Sequence, residues 1–208
     1  MTHYFETPSG AEHRRTITAR FWDTEWTFTT AAGVFSHDGL DLGTGVLLRS
    51  HTPAPAAGRL LDLGTGYGVV AVALATANPH AEVDAVDVNQ RALELTAVNA
   101  LSHGVAERVH PLAPEQADPA RRYDEIWSNP PIRIGKPALH DLLLTWLPRL
   151  APGGVARLVV GRNLGADSLQ RWLVEQGYRC DRTASAKGFR VFAVSAATEP
   201  DDSSASRG

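Results

Sequence analysis

The sequence predicts an α/β fold in which a mostly parallel sheet is covered by helices on both faces. From Arg59 onward, short apolar runs alternate with longer segments of helical pattern, which is typical of parallel strands joined by crossover helices. A glycine-rich turn at residues 64–68 joins the first apolar run to an Ala/Val-rich helical segment. Further along the chain, two apolar runs meet at Lys187-Gly188, which indicates a closing antiparallel hairpin.

A separate hairpin is predicted ahead of this unit. Apolar and polar residues alternate from Thr16 to Thr30 in two runs around residues 22–24, which is the period of strands. Phe21, Trp26 and Phe28 fall on one side of these runs and are expected to be buried. The pattern therefore predicts an N-terminal β-hairpin extension.

The remaining elements follow from the same patterns. The predicted strands lie near Leu60–Leu63, Glu82–Val86, Arg108–Leu112, Glu125–Ser128, Val155–Val160, Tyr178–Thr183 and Phe189–Ser195. The first predicted helix begins near Thr44, and the others cover Val69–Ala77, Gln90–Ser102, Pro137–Leu150 and Ser168–Gln176. In the helix over 90–102, Asn89 is the expected N-cap, and Leu93, Ala97 and Leu101 share one face.

Length and composition favour one main domain. With 208 residues, 43% of them hydrophobic, the chain can bury one α/β core with small additions. We expect residues 1–25 to form an arm and the start of the hairpin, and residues 26–197 to form the main domain. Residues 198–208 combine acidic residues with Ser and Ala, which predicts a disordered tail.

Charge and cysteine content bound the cellular context. The single cysteine, Cys180, excludes an internal disulfide framework, and no apolar run reaches the roughly 18 residues of a membrane span. With no signal peptide pattern either, a cytoplasmic location without membrane attachment is expected. The net charge of −3 argues against a protein coated for nucleic acid, although the distribution of charge matters more than its sum.

The glycine-rich turn predicts a nucleoside site. Its spacing is G-x-G-x-G, which differs from the G-x-G-x-x-G of dinucleotide-binding dehydrogenases. Asp87 closes the next apolar run about twenty residues later, where such folds place the group that binds ribose hydroxyls. A glycine turn that only packs a strand against a helix is the alternative. The candidate cofactor-binding residues are Asp62, Gly64, Thr65, Gly66, Gly68 and Asp87.

Asn129-Pro130-Pro131 follows the fourth strand of the main unit, at the strand end where open α/β sheets bind ligands. The prolines stiffen the backbone, and the Asn129 amide oxygen and the Pro130 carbonyl can together accept both N–H bonds of an exocyclic amine. Such acceptors orient a poorly nucleophilic nitrogen and stabilise the positive charge that forms as it is methylated. These three residues are the catalytic candidates; a plain turn is the alternative.

Along the chain, the glycine loop led by Asp62 comes first, Asp87 second and Asn129-Pro130-Pro131 third. In this order the three features resemble those of class I S-adenosylmethionine-dependent methyltransferases that act on nitrogen. Residues 129–136 resemble the small-domain methyltransferases that modify guanine N2 in ribosomal RNA. The likeness extends to residues 33–36, 40–44, 47–48, 163–165 and 187–191 and covers the chain from Trp26 to Val194.

This resemblance implies a Rossmann-like fold with a seven-stranded sheet, and S-adenosyl-L-methionine as the cofactor. It places the cofactor at residues 62–68 and Asp87, with Asn129 also in contact, and the target amine at Asn129–Pro131. Thr44 is implied to lie near the cofactor; an ordinary helix N-cap is the alternative. The implied partner is ribosomal RNA or a ribosomal subunit, and no metal-ligand spacing is present.

Ile132 stands where related enzymes carry an aromatic residue that stacks on the target base, which argues against a usual adenine-N6 enzyme. Ile132, Arg133 and Lys136 are the substrate-binding candidates, the two cations for phosphates of a flipped nucleotide. Solvated residues at a helix start are the alternative. Three other functional hypotheses remain open: methylation of a protein glutamine or a small-molecule amine, a nicotinamide-dependent oxidoreductase, and an inactive RNA-associated module.

Overall fold

The structure, a computed structural model, describes residues 14–51, 58–131 and 134–197. The strands are β1 (Arg14–Phe21), β2 (Thr24–Ala31), β3 (Gly58–Leu63), β4 (Ala81–Val86), β5 (Val109–Leu112), β6 (Tyr123–Ser128), β7 (Leu150–Gly161), β8 (Tyr178–Ala186) and β9 (Phe189–Ala196). The helices are α1 (Leu42–Ser50), α2 (Val69–Ala77), α3 (Gln90–Ser102), α4 (Lys136–Trp146) and α5 (Ala166–Glu175).

Within the described ranges, seven strands form one sheet in the order β5-β4-β3-β6-β7-β9-β8. The five strands from β5 to β7 are parallel, and β9 runs against its neighbours β7 and β8. This arrangement confirms the predicted α/β fold with a mostly parallel seven-stranded sheet.

Helices cover both faces of the sheet. One core cluster joins β1, β2 and the helices α1, α2 and α3 to one face, and a second joins α4 and α5 to the other. Each face buries a large aromatic side chain of the sheet, Trp127 on the first and Phe192 on the second, and both are fully buried. Burial of such a side chain stabilises the folded state by roughly 2–3 kcal/mol. The helices on each face are held to the sheet by the apolar contacts of that face.

The strand register brings three loops to one edge. Leu63 of β3 pairs with Val86 of β4 on one side and with Ser128 of β6 on the other. The next residue of each strand is therefore Gly64, Asp87 or Asn129, at the carboxyl edge where open α/β sheets bind ligands.

The N-terminal hairpin is confirmed as an antiparallel pair, β1 with β2, separate from the main sheet. Phe21, Trp26 and Phe28 are buried as expected. The amide of Asn99 on α3 joins the hairpin to the core, because its Nδ2 donates to the Thr29 carbonyl (2.8 Å) and its Oδ1 accepts from the Thr29 N–H (2.7 Å).

The same helix α3 corrects one prediction. Asn89 is its N-cap, and its side chain accepts a hydrogen bond from the Arg91 N–H. Of the face predicted from Leu93, Ala97 and Leu101, only Leu93 is buried, and Leu101 is 72% exposed. The buried face instead contains Thr96 and Asn99, whose side chains form hydrogen bonds to neighbouring segments. A pattern of apolar residues cannot reveal these polar contacts.

Two further helices differ from the prediction at their ends. The helix predicted over 137–150 ends at Trp146 and continues as a 3₁₀ turn over Leu147–Arg149, because Pro148 has no N–H to donate to an α-helical ladder. The last helix, α5, begins at Ala166 rather than Ser168. The predicted domain bounds remain predictions, and the arm over 1–13 and the tail over 198–208 lie outside the described residues.

Candidate active site

The glycine loop is bonded to the end of β4 by its own backbone. The N–H groups of Gly64 and Thr65 donate to the Val86 carbonyl (2.8 and 3.0 Å), and the Gly66 N–H donates to Asp87 Oδ2 (2.9 Å). In a dinucleotide-binding loop, such N–H groups face a pyrophosphate. Here all three are used within the protein, so this loop suits a cofactor without phosphates.

The glycines of the loop serve two different purposes. A Cβ on Gly64 or Gly66 would meet no atom within 4 Å, so both glycines leave space open beside the loop. A Cβ on Gly68 would lie 2.9 Å from the Thr96 methyl and 3.0 Å from its Cα. The first two glycines therefore form a cradle that a side chain would fill, and the third permits close packing against α3.

Asp62 lies beneath the loop and is 2% exposed. Its Oδ2 accepts hydrogen bonds from the Thr65 hydroxyl (2.7 Å) and from the Ala71 N–H in the first turn of α2 (2.9 Å). Burial raises the pKa of this carboxyl to about 7, although both hydrogen bonds act in the opposite direction. Asp62 thus holds the loop against the helix start, and its carboxyl takes up one of the N–H groups in the first turn of α2.

Asp87 is fixed by the backbone of its own turn. Its Oδ1 accepts from the Asn89 N–H (2.9 Å), while its Oδ2 binds Gly66. Burial raises the pKa of the Asp87 carboxyl despite these bonds. Each carboxylate oxygen has a second lone pair, so the group can still accept hydrogen bonds from a ligand hydroxyl.

The Asn129 side chain is oriented by residues at the start of α1. Its Nδ2 donates to Asp41 Oδ2 (2.7 Å) and to the Thr44 hydroxyl oxygen (3.0 Å). A carboxylate only accepts hydrogen bonds, so the amide nitrogen of Asn129 must face Asp41. Both amide hydrogens are then in use, and the amide oxygen remains as an acceptor.

Asp41 is a site residue that the sequence prediction missed. It is the N-cap of α1, and its Oδ2 also accepts from the Thr44 N–H (2.8 Å). The alternative that Thr44 caps this helix is therefore wrong; Thr44 lies one turn in, and its hydroxyl contacts Asn129. An Asp three residues before Thr44 is a recognisable helix-start signal, but nothing in the sequence connects it to residue 129.

One groove brings most of these groups together at the carboxyl edge, with about 420 Å³ of space open to solvent. Its walls include the cradle of Gly64 and Gly66 on one side, and Asp41 and Asn129 on another. The residues that line it are Phe35, Ser36, Leu40, Asp41, Thr44, Asp62, Gly64, Thr65, Gly66, Tyr67, Val69, Val70 and Asn129. The structure thus joins the predicted loop to the predicted catalytic amide.

The other predicted residues lie around this groove rather than in its walls. Asp87 is bonded to the loop through the Gly66 N–H, Gly68 packs against Thr96, and Pro131 accepts a hydrogen bond from the Ile134 N–H (3.1 Å). Lys136 lines a neighbouring small groove together with Leu164 and Ser168. Ile132 and Arg133 lie outside the described residues.

Metal-binding clusters and membrane-spanning helices are both absent from the described residues. Over residues 14–51, 58–131 and 134–197, no group of three or more His, Cys, Asp or Glu side chains is placed to hold a metal ion. No helix in the part of the chain that the structure describes is long and apolar enough to cross a membrane.

Two bacterial proteins are similar to this chain over about two thirds of its length or more. The protein YbxB of Bacillus subtilis strain 168 is 30% identical over 191 residues, which are 91% of this chain and 95% of that protein. Ribosomal RNA small subunit methyltransferase C of Shewanella sp. strain W3-18-1 is 34% identical over 136 residues, 64% of this chain and 38% of that protein.

Among solved structures, the 16S rRNA N2 G1207 methyltransferase of T. thermophilus, in complex with AdoMet and guanosine, superposes with a TM-score of 0.76 at 24% identity. The match covers 91% of this chain and 52% of that one, so this chain spans about half of that relative. At this identity, the likeness shows that the two chains share a fold.

The family model for the methyltransferase small domain matches residues 25–193. This match confirms the predicted enzyme class and its cofactor, S-adenosyl-L-methionine, which the cradle and the phosphate-free loop also fit. It does not support the alternative of a nicotinamide-dependent oxidoreductase. The chain belongs to the methyltransferase small domain family of S-adenosylmethionine-dependent enzymes.

Proposed function

We propose that this chain methylates the exocyclic N2 of a guanine in ribosomal RNA. One observation carries the proposal: the Asn129 amide is locked by Asp41 and Thr44, so that its oxygen is an acceptor beside the cofactor groove. A guanine amine has two N–H bonds and a delocalised lone pair, and it needs acceptors of this kind to be oriented.

The chemistry of the pocket is positioning and electrostatic stabilisation. Bound S-adenosylmethionine supplies an electrophilic methyl group: the nitrogen lone pair forms the new bond to this methyl group, and the electron pair of the broken carbon–sulfur bond stays on sulfur. The Asn129 oxygen and the Pro130 carbonyl accept the two N–H bonds of the amine and stabilise the positive charge that develops on nitrogen. The nitrogen then releases one proton to water, because the groove is open to solvent, and no side-chain base has to remove it beforehand.

The cofactor contacts follow from the groove. Gly64 and Gly66 provide the open cradle, Asp87, which is bonded to Gly66 of that cradle, binds ribose hydroxyls, and Thr44 lines the groove in contact with Asn129. Asp62, Thr65 and Gly68 hold the loop in the shape that this contact requires. These assignments are proposals that follow from the placement of the residues.

The choice of ribosomal RNA rests on the named relatives. Curated relatives are named ribosomal RNA small subunit methyltransferase C, and the T. thermophilus structure is named for guanine N2. Ile132 replaces a stacking aromatic residue, so Arg133 and Lys136 are proposed to hold the target nucleotide through its phosphates. Action on ribosomes also implies a cytoplasmic location, in agreement with the single cysteine.

Methyl-labelled cofactor tests this proposal. The purified chain is incubated separately with naked ribosomal RNA, with ribosomal subunits and with RNA-free total protein, and the nucleosides are analysed by mass spectrometry. We expect N2-methylguanosine in at least one RNA sample. Label found only in protein glutamine or in small amines would replace this function with the second candidate, which uses the same acceptors.

A pair of variants makes the experiment specific to the site. Asn129→Ala is expected to lower turnover about 100-fold or more, as the loss of one preorganised polar group does in other enzymes, with cofactor affinity within about threefold of wild type. Gln176→Ala, which removes an exposed side-chain amide next to the end of α5, is the matched control and should change neither quantity. An active Asn129→Ala would refute the catalytic role.

A further inference from the structure

Three exposed cations stand at the carboxyl edge on the far side of Asn129 from the cofactor loop. They are Lys136 at the first position of α4, Arg162 directly after β7, and Lys187 at the turn between β8 and β9. The two lysines are the only lysines of the chain. Among the described residues, none of the three forms an ion pair.

The fold makes these cations neighbours although they are far apart in sequence. The Arg162 N–H donates to the Gly188 carbonyl (2.8 Å), which joins the start of the turn after β7 to the tip that carries Lys187. Lys136 shares a small groove with Leu164 and Gly165, which follow Arg162 directly. The three side chains therefore belong to one surface, which we call the cationic edge.

Two of these cations occupy positions that local structure disfavours. Lys136 begins a helix, where the positive end of the helix dipole repels a cation, and no acidic residue offsets it in the first turn. Lys187 has φ +49° in a two-residue turn with Gly188 at φ +80°, a conformation that favours Asn, Asp or Gly.

The other hairpin of the molecule shows what normally accompanies such a residue. Trp22 also has φ +49°, and its ring nitrogen donates to the carbonyls of Leu48 (2.6 Å) and His51 (3.0 Å). Its ring also packs edge-on against Trp127. Contacts within the protein thus account for Trp22, whereas the exposed Lys187 side chain has no described ion-pair partner.

Several other arginines of the described residues form ion pairs with carboxylates of the protein. Arg121 is paired with Asp84, Arg157 with Glu125, and Arg190, at the same edge as Lys187, with Asp167. The cationic edge is therefore a local excess of charge in a chain of net charge −3. It begins at β7, one strand beyond Asn129, and extends over the next two strands.

We propose that Lys136, Arg162 and Lys187 bind the phosphates of a single RNA strand next to the target nucleotide. The inference rests on the proposed function and assigns the direction in which the substrate leaves the pocket, over β7, β9 and β8. Three strand spacings of about 4.8 Å separate β6, which carries Asn129, from β8, so this path spans roughly 14 Å, a length that a short stretch of single-stranded RNA can cover. An isolated phosphate contact carries no sequence information, so the surface positions the strand and leaves base selection to the pocket.

A salt titration tests the proposal directly. Binding of a fluorescein-labelled, 12-nucleotide single-stranded RNA that contains guanine is measured between 50 and 300 mM salt. The variants are Lys136→Gln, Arg162→Gln, Lys187→Asn and the triple combination. Each lost phosphate contact should reduce the slope of log K against log salt by about 0.7 and weaken binding about fivefold at 0.1 M salt.

Matched controls separate this effect from damage to the fold. Arg59→Gln removes an exposed cation near the amino end of β3, at the opposite edge of the sheet, and should change neither slope nor affinity. Lys187→Asn suits the turn better than the native lysine, so its Tm should equal or exceed that of wild type while RNA binding weakens. Binding of S-adenosylhomocysteine should be unchanged in all variants.

Each outcome has a distinct meaning when methyl transfer is measured in parallel. The cationic edge is refuted if the triple variant binds RNA with the wild-type slope, or if Arg59→Gln weakens RNA binding as much as the other variants do. This conclusion holds even where the wild type methylates RNA. If the wild type binds RNA through these residues but labels no RNA, the proposed function fails and the surface stands. If the variants bind RNA as the wild type does but lose binding to an acidic protein substrate, the cationic edge binds protein and the RNA assignment is wrong.

Discussion

On the β3–β4 side of the carboxyl edge, the functional groups are buried and hydrogen-bonded within the protein, whereas on the β7–β8 side they are exposed and cationic. Asp62 and Asp87 each accept two hydrogen bonds from the glycine loop and its surroundings. Arg162 and Lys187 have no described ion-pair partner. Asn129, on β6 between them, combines both properties, with its nitrogen fixed and its oxygen available.

This difference reflects two kinds of ligand. A small cofactor that is the same in every turnover is best bound by groups whose positions are set beforehand, because ordering them on binding would cost affinity. A polymer with many phosphates is attracted by charge at longer range and needs no fixed geometry until the base reaches the pocket. Variants on each side should therefore affect different measured quantities.

The largest effect is expected at the rigid side, in Gly68→Ala. Alanine at this position would have to keep φ +87°, and its methyl group would lie within 3.0 Å of Thr96. We therefore expect the free energy of unfolding to fall by about 2–4 kcal/mol. Urea denaturation measures this change. Gly64→Ala has a similar φ of +79° but open space around the Cβ, so it should cost only about 1–2 kcal/mol and should instead obstruct the cofactor. Equal losses of stability would show that Gly68 is not a packing residue.

Asp87→Ala should weaken the cofactor first. The variant removes a charged acceptor, and such hydrogen bonds contribute about 1.5–3 kcal/mol, so we expect the Kd of S-adenosylhomocysteine to rise about 10- to 100-fold in calorimetry. Turnover at saturating cofactor should remain within about threefold of wild type, because Asp87 does not contact the target amine. A large fall in turnover with unchanged affinity would mean that the roles of Asp87 and Asn129 are exchanged.

Asp41→Ala should show the opposite pattern. Without its carboxylate, the Asn129 amide loses one of two fixed partners, and we expect kcat to fall about 10- to 30-fold while cofactor affinity changes little. Asp41→Asn keeps an oxygen for the Asn129 nitrogen and remains a good helix N-cap, so it should restore most of the lost turnover. If both variants lose only stability, Asp41 is a helix cap and does not position the amide.

The contrast also explains how much the sequence could predict. The five parallel strands and the glycine loop were predictable because parallel, buried strands appear as apolar runs separated by turn residues. The residues of the loop and Asn129 were found by spacing along the chain, and they converge because strand ends share one edge. Local pattern was sufficient wherever the determining contacts lie within one strand–turn–helix unit.

Prediction failed where the determining contact is distant in sequence. Asp41 is 88 residues from Asn129, and no periodicity connects them. Leu101 is exposed because α3 instead buries Thr96 and Asn99, which donate hydrogen bonds to the carbonyls of Gly66 (3.1 Å) and Tyr67 (2.7 Å). Buried polar groups are tolerated only with such partners, and the partners become visible only in the folded chain.

The smallest predicted effect is a pH dependence of stability at Asp62. Its pKa is raised by burial to about 7, from a usual value of 3.8, so the folded state holds a proton that the unfolded state releases above pH 4. Stability from this group is therefore complete at low pH and is lost as pH rises towards the folded pKa, by about 1 kcal/mol between pH 6 and pH 8. Asp62→Asn keeps an acceptor for Thr65 and Ala71 without the titration, so its unfolding free energy should fall less over this interval. Urea denaturation of the cofactor-free chain at both pH values measures the difference. A decline as steep in Asp62→Asn as in wild type would place the proton on another group, and the buried carboxyl beneath the loop would then remain charged throughout.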